Sequence, residues 1–147
     1  MPCDPLGMQP HRHEHRLRVR YGETDQMGVV HHANYLLYLE ESRTALMAAH
    51  GCSYAEFERS GWALPVRKAE LRFRSPARYE DELVVRTWVQ KLGPASVTFA
   101  SEVWRDADRT LVASGSVELA CIDIRSTPRK LAAIPAGLRE ALEREAS

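Results

Sequence analysis

The chain has 147 residues, 44% hydrophobic and 27% charged, which is the make-up of one folded domain with a core of ordinary size. Its 20 basic and 20 acidic residues cancel, and a formal net charge of zero argues against a nucleic-acid binder held by a broad basic surface. No apolar run reaches the ~18 residues of a membrane span, residues 1–9 lack the pattern of a secretory signal, and Cys3, Cys52 and Cys121 form no CxxC pair. Reduced thiols and a cytoplasmic location are therefore expected.

Pro2, Pro5, Gly7 and Pro10 mark residues 1–12 as a mobile tail, leaving residues 13–147 as a single domain. His11, His13 and His15 alternate, which on a strand would gather three imidazoles as candidate metal ligands. A solvated lead-in to the first strand explains them without a metal, and none is expected. The position four after His13 is Leu17, so this is not the HExxH zinc helix.

From His15 to Tyr21, Leu17, Val19 and Tyr21 alternate with Arg16, Arg18 and Arg20, the period of a half-buried strand. A polar turn follows, and then a helix predicted over residues 34–50, with Asn34 near its start as a cap and Gly51 as a left-handed stop. Tyr35, Leu39, Leu46 and Ala49 form one apolar stripe, while Leu36, Leu37, Tyr38, Met47 and Ala48 make much of the rest apolar. Such a helix calls for cover on most sides. Ser53 with Glu56 suggests the capping box of a short second helix ending at Gly61.

Four strand-like runs come next, over residues 63–74, 82–91, 96–105 and 110–124. Their inward residues are expected to include Ala69, Leu71 and Phe73, then Leu83, Val85, Thr87 and Val89, then Val97, Phe99, Ser101 and Val103. In the last run Leu111, Ala113, Gly115, Val117, Leu119 and Cys121 take the same side. A closing helix is predicted over residues 135–145, with Pro135 at its first position. One strand, one helix and then four strands is an α+β order with antiparallel pairing.

The stretch Tyr21-Gly22-Glu23-Thr24-Asp25-Gln26-Met27-Gly28-Val29-Val30-His31-His32-Ala33-Asn34-Tyr35 joins that first strand to the main helix. It places one acid beside the free N–H groups of a helix start, where a carbonyl can be polarised. No GxSxG elbow, phosphate loop or GxGxxG is present, which sets aside serine hydrolases of that type, nucleotide hydrolases and Rossmann enzymes.

Thr24-Asp25, Gly28-Val29-Val30 and His32-Ala33-Asn34-Tyr35, followed by Glu40 and Arg43, resemble the hotdog-fold acyl-CoA thioesterases. The likeness is to the 4-hydroxybenzoyl-CoA thioesterase-like group and its Tol–Pal-associated bacterial branch. It implies an antiparallel sheet of about five strands wrapped around one long central helix. It also implies a homodimer or homotetramer in which edge strands pair across subunits. The implied reaction is hydrolysis of an acyl-CoA, or of an acyl carrier protein thioester, without a cofactor.

By the same likeness Asp25 is the general base or nucleophile, and the backbone N–H of His32 polarises the thioester carbonyl. Gly28, Val30, His31, Asn34 and Tyr35 would line the substrate pocket, and Lys91 and Ser96 would meet CoA. The His32 ring either holds the loop or lines the pocket. Glu40 is a second acid or an ion-pair partner of Arg43. His31 stands where the family commonly has Tyr, and Gln26-Met27 replaces smaller residues, departures that bear on the acyl group. A hotdog dehydratase would need a Phe-Pro-Gly turn that is absent. A non-catalytic acyl-CoA-binding hotdog protein is the remaining alternative, and Asp25 simply stabilising its turn is the corresponding reading of that residue.

Overall fold

The computed structural model describes residues 12–146. In chain order the elements are β1 (His13–Arg18), α1 (Asn34–Ala49), α2 (Tyr54–Arg59), β2 (Trp62–Ala63), β3 (Val66–Phe73) and β4 (Glu82–Leu92). Then come β5 (Ser96–Arg105), β6 (Thr110–Ala120), β7 (Ile122–Asp123), β8 (Lys130–Leu131) and α3 (Ala136–Arg144). The main sheet has five strands in the order β1-β4-β5-β6-β3, every neighbouring pair antiparallel. β2, β7 and β8 form a separate three-stranded patch. The α+β class and the antiparallel five-stranded sheet are as expected. No helix among the described residues is long and apolar enough to cross a membrane. Of the expected tail only Arg12 is described, and its guanidinium lies 3.6 Å from the centroid of the Trp88 ring.

β4 lies second in the sheet, and its burial departs from simple alternation. Leu83, Val85, Thr87 and Val89 are buried as expected, but so are Val84 and Arg86. The opposite face is covered by long polar side chains: Arg86 is only 5% exposed beside Glu14, and Trp88 lies under Arg12. Arginine stems cover apolar surface while their charged heads reach water, so a polar row in the sequence does not guarantee a wet face.

The predicted run over residues 63–74 divides at Leu64-Pro65. Proline has no N–H for a ladder, and the chain passes there from the small patch to the main sheet. β3 is one of the sheet's two edge strands, and Ala69 and Phe73, expected inside, are exposed. The reason is where α1 lies: it packs chiefly on β1 and β4, at the other side of the sheet. For the same reason α1 is covered on one side of the single chain rather than on most. Tyr35, Tyr38, Leu39, Ser42, Leu46 and Met47 are buried, whereas Leu36 and Leu37 are 41% and 58% exposed, as is Ala49 at the end of the expected stripe.

Helix termini deviate by one residue or less. α1 is preceded by Ala33, which offers no side-chain cap, and Asn34 instead sends its amide elsewhere. Gly51 adopts φ +81° just beyond the helix and donates to Ala48 O at 2.9 Å. Pro135 is the cap residue before α3, with ψ 145°, so the helix starts at Ala136. The predicted strand over residues 110–124 breaks after Ala120, and Ile122–Asp123 joins the small patch.

Candidate active site

The strand-to-helix connection is a small folded unit. After β1 a 3-10 turn (Tyr21–Glu23) leads to Thr24, which bridges Val30 in antiparallel fashion. Asp25 N donates to Val29 O at 2.9 Å, and Gly28 N donates back to Asp25 O at 2.9 Å. Closing so tight a loop needs the positive φ of Gly28, +79°. Val29 then bridges Arg78, and Val30 N donates to Ala77 O at 2.8 Å, so the β3–β4 connection supports the unit from the other side.

Asp25 is half-buried, and its two oxygens are used differently. Oδ1 accepts the N–H of Met27 at 2.9 Å and, at 3.4 Å, that of Val29. Oδ2 takes no hydrogen bond among the described residues. At the helix start, His31 N donates to Glu23 O at 2.9 Å, Asn34 N to His31 O and Tyr35 N to His32 O. Ala33 N is taken by His31 Nδ1 at 3.2 Å. The N–H of His32 makes no hydrogen bond among the described residues, so the helix start leaves that main-chain donor over.

Of the candidate pocket residues, Gly28, His31 and His32 are exposed, with the two imidazoles stacked at 4.3 Å. Asn34 is half-buried and donates through Nδ2 to Glu23 O at 2.9 Å. Val30 and Tyr35 are core residues, 6% and 3% exposed. Burial pushes the Tyr35 phenol up, partly offset by its hydrogen bond with the Ala77 backbone. Phe73 at the end of β3 meets both Tyr35 and His32 edge-on, at 5.6 and 6.4 Å between centroids.

Lys91 and Ser96 are not brought to this place. They flank the β4–β5 turn, whereas Asp25 is tied to the 77–78 segment before β4 begins. The length of β4 separates them, roughly 30 Å at about 3.3 Å per residue. Arg43 and Glu40 approach to 3.8 Å beside a cavity of about 240 Å³ lined also by Met47, Val66 and Phe99. Burial lowers the Arg43 guanidinium from its usual range, with Glu40 opposing. A groove of about 900 Å³ runs along β1 and α1 past Tyr21, Glu23, Tyr38 and Tyr79 and does not include Asp25. His11 lies outside the described residues; His15 Nε2 is 2.7 Å from Glu41 Oε2, an ion-pair geometry rather than a ligand set.

Sequence reasoning missed Glu23 and Tyr38, whose carboxylate and hydroxyl meet at 2.9 Å, and the supporting residues Ala77 and Arg78. Glu23 and Tyr38 are 15 positions apart with a turn between them, so no helical or strand spacing links them. A carboxylate immediately before the acid-bearing turn was the one available signal.

The profile of the thioesterase-like superfamily matches residues 19–142. The chain is 33% identical over 116 residues to the protein YneP of Bacillus subtilis (strain 168), covering 79% of this chain and 83% of that one. It is 32% identical over 116 residues to the acyl-CoA thioester hydrolase YbgC of Escherichia coli O6:H1, covering 78% and 86%. Among solved structures, protein TT1821 of Thermus thermophilus is 36% identical, with a TM-score of 0.83 over 90% of this chain and 98% of that one. The Dynemicin thioesterase is 27% identical with a TM-score of 0.88 over 93% and 99%. The sheet, the helix start and these matches agree, and the chain belongs to the thioesterase-like superfamily with a hotdog fold.

Proposed function

We propose that the protein hydrolyses an acyl-CoA thioester to the free acid and CoA, using Asp25 and the helix start as its catalytic machinery. The observation that carries this is that the connection between β1 and α1 leaves, among the described residues, a carboxylate oxygen without a hydrogen-bond partner, Asp25 Oδ2, and at the helix start a main-chain donor without an acceptor, His32 N–H. The thioester oxygen accepts from His32 N–H. Asp25 removes a proton from water as the water oxygen attacks the carbonyl carbon; the C–S bond then breaks, and the departing CoA thiolate takes that proton from Asp25, which returns to the carboxylate. In the nucleophile variant the carboxylate oxygen attacks first and the C–S bond breaks to release the CoA thiolate. Water then hydrolyses the resulting anhydride, giving the free acid, the Asp25 carboxylate and the proton the thiolate takes up. Donors placed for the oxyanion are worth about 3–4 kcal/mol each in comparable hydrolases. Acyl carrier protein thioesters present the same reacting atoms and fit the same reading.

A homodimer or larger homo-oligomer belongs to this reading. β3 offers a free sheet edge with Val66 and Phe73 about half exposed, and a bare edge invites pairing. Lys91 and Ser96, a strand length from Asp25, would meet a CoA bound at that acid only if they came from another subunit.

A second reading is a non-catalytic acyl-CoA-binding protein. It is favoured by the two N–H groups held by Asp25 Oδ1, which give the residue a purely structural task. Asp25→Asn separates the readings because the amide oxygen still accepts both N–H groups. Thiol release from a panel of acyl-CoA substrates is expected to fall at least ~100-fold with the melting temperature unchanged. Undiminished hydrolysis by that variant would remove Asp25 from the mechanism.

A further inference from the structure

Glu23 gathers four hydrogen bonds from separate parts of the connection. Its Oε1 accepts the Arg20 N–H at 2.8 Å and the Tyr38 hydroxyl at 2.9 Å. Its carbonyl oxygen accepts the His31 N–H at 2.9 Å and the Asn34 Nδ2 at 2.9 Å. One residue thus ties the chain leaving β1 to the loop and to the first two turns of α1. Tyr38 is 4% exposed, and burial first, then Glu23, pushes its phenol upward, so the hydroxyl remains a neutral donor to the carboxylate.

The main-chain half of this clamp determines which histidine N–H is available. Around the Thr24–Val30 bridge, Asp25 N–H goes to Val29 O and His31 N–H goes to Glu23 O. Along an extended segment successive N–H groups alternate in direction. Val30 N–H accordingly turns the other way and is taken by Ala77 O. His32 lies in the turn that follows, closed by Asn34 N–H to His31 O at 3.0 Å, and none of the described residues accepts its N–H. Were Glu23 O to release His31, that alternation would no longer be held, and the spare donor would lose its fixed place relative to Asp25.

We propose that Glu23, held by Tyr38, is a positioning residue for the reaction: it fixes the Asp25 turn on α1 so that the acid and the His32 N–H meet one acyl carbon. This rests on the hydrolase reading given above. The contribution of Glu23 is to geometry, and small displacements of reacting groups are costly in rate.

The test compares Tyr38→Phe, Glu23→Ala and Glu23→Gln in steady-state hydrolysis of an acyl-CoA, each also in an Asp25→Asn background. Glu23→Ala and Tyr38→Phe are expected to lower kcat roughly ten- to a hundredfold with KM changed by less than about threefold. Glu23→Gln restores most of the rate, because its amide oxygen accepts the same two donors. In the Asp25→Asn background Tyr38→Phe causes no further loss, since the group it positions is gone.

Amide hydrogen exchange supplies a readout independent of turnover. Protection of the His31 N–H is expected to fall in Glu23→Ala and in Tyr38→Phe. A folded Tyr38→Phe protein with wild-type kcat and unchanged His31 protection overturns the positioning role, as does a loss that persists undiminished beside Asp25→Asn. Full activity in Asp25→Asn alone is a different failure, and it removes the hydrolase reading on which the proposal stands.

Discussion

Ser42 Oγ on α1 and Thr87 Oγ1 on β4 lie 2.7 Å apart, both side chains 0% exposed. Thr87 Oγ1 continues to Ser101 Oγ on β5 at 2.8 Å, so a short chain of hydroxyls crosses from the helix through two strands of an otherwise apolar core. Thr87 is the middle member, and replacing it by Val keeps the shape while stranding Ser101 Oγ and leaving Ser42 Oγ only the 3.5 Å approach to Val85 O. The cost is expected to be about 2–3 kcal/mol, against about 1 kcal/mol for Ser42→Ala or Ser101→Ala. The triple apolar replacement should cost less than the sum of the three, because it leaves no hydroxyl unpaired. Urea unfolding of the five proteins, wild type included, checks both the order and the shortfall.

That hydroxyl chain also marks the limit of reading the fold from the sequence. Thr87 and Ser101 were placed inward by alternation alone, and they are inward. Ser42 sits on the buried side of α1, a position that helical spacing of apolar residues passes over because serine is not apolar. Short-range chemistry was the legible part: Gly51, Ser53 and the Asp25–Gly28 turn all behave as their residue types require. What could not be read is whatever depends on two distant segments meeting, such as Arg12 over Trp88, or Ala77 receiving the Val30 N–H. Exposure of Phe73 was misjudged for a related reason. Alternation gives the two faces of a strand but not whether a helix lies over that part of the sheet.

Gly115 pairs with Leu71 across β6 and β3, and a Cβ built on it would lie 2.4 Å from Glu70 O and 2.8 Å from Leu71 Cδ2. The oxygen belongs to the backbone and cannot rotate away. Gly115→Ala must therefore push β3 from its neighbour, at a cost of about 1–3 kcal/mol, the range for overpacking. Because β3 is an edge strand, paired only with β6, the disturbance should concentrate there. Hydrogen exchange is expected to accelerate from Glu70 to Phe73 while the β4–β5 amides keep their protection.

The Arg105 guanidinium grips Asp108 with both oxygens at 3.0 Å and holds its carboxyl near pH 2, at about 2 against an ordinary 3.8. Through Nη1 the same arginine reaches Pro76 O at 2.7 Å, next to the Ala77 that supports the Asp25 turn. A carboxylate with a depressed folded pKa contributes stability that is complete above its unfolded value. The contribution fades as pH falls from about 4 towards 2. Asp108→Asn should therefore flatten that part of the acid unfolding curve by lowering stability above about pH 4 while leaving it unchanged near pH 2. The loss should be small because Asp108 is exposed. Thermal melts at pH 2, 3, 4 and 7, compared with the wild type, are the check; an identical acid limb would show that the pair contributes nothing.

Gly28 presents two requirements that a pair of substitutions can separate. Its φ of +79° disfavours a Cβ-bearing residue, yet a Cβ built there has nothing within 4 Å, so the fold itself does not need the space. Gly28→Asn should be nearly neutral for stability, because asparagine tolerates this backbone region, and Gly28→Ala should cost about 1 kcal/mol. If the open volume beside Gly28 is where the acyl-CoA passes to reach Asp25, both variants lose kcat/KM to a similar degree despite their different stabilities. If only the turn's shape matters, activity follows stability, and the Asn variant works like the wild type. Measuring melting temperature and kcat/KM together on the two proteins decides whether the substrate approaches over this glycine.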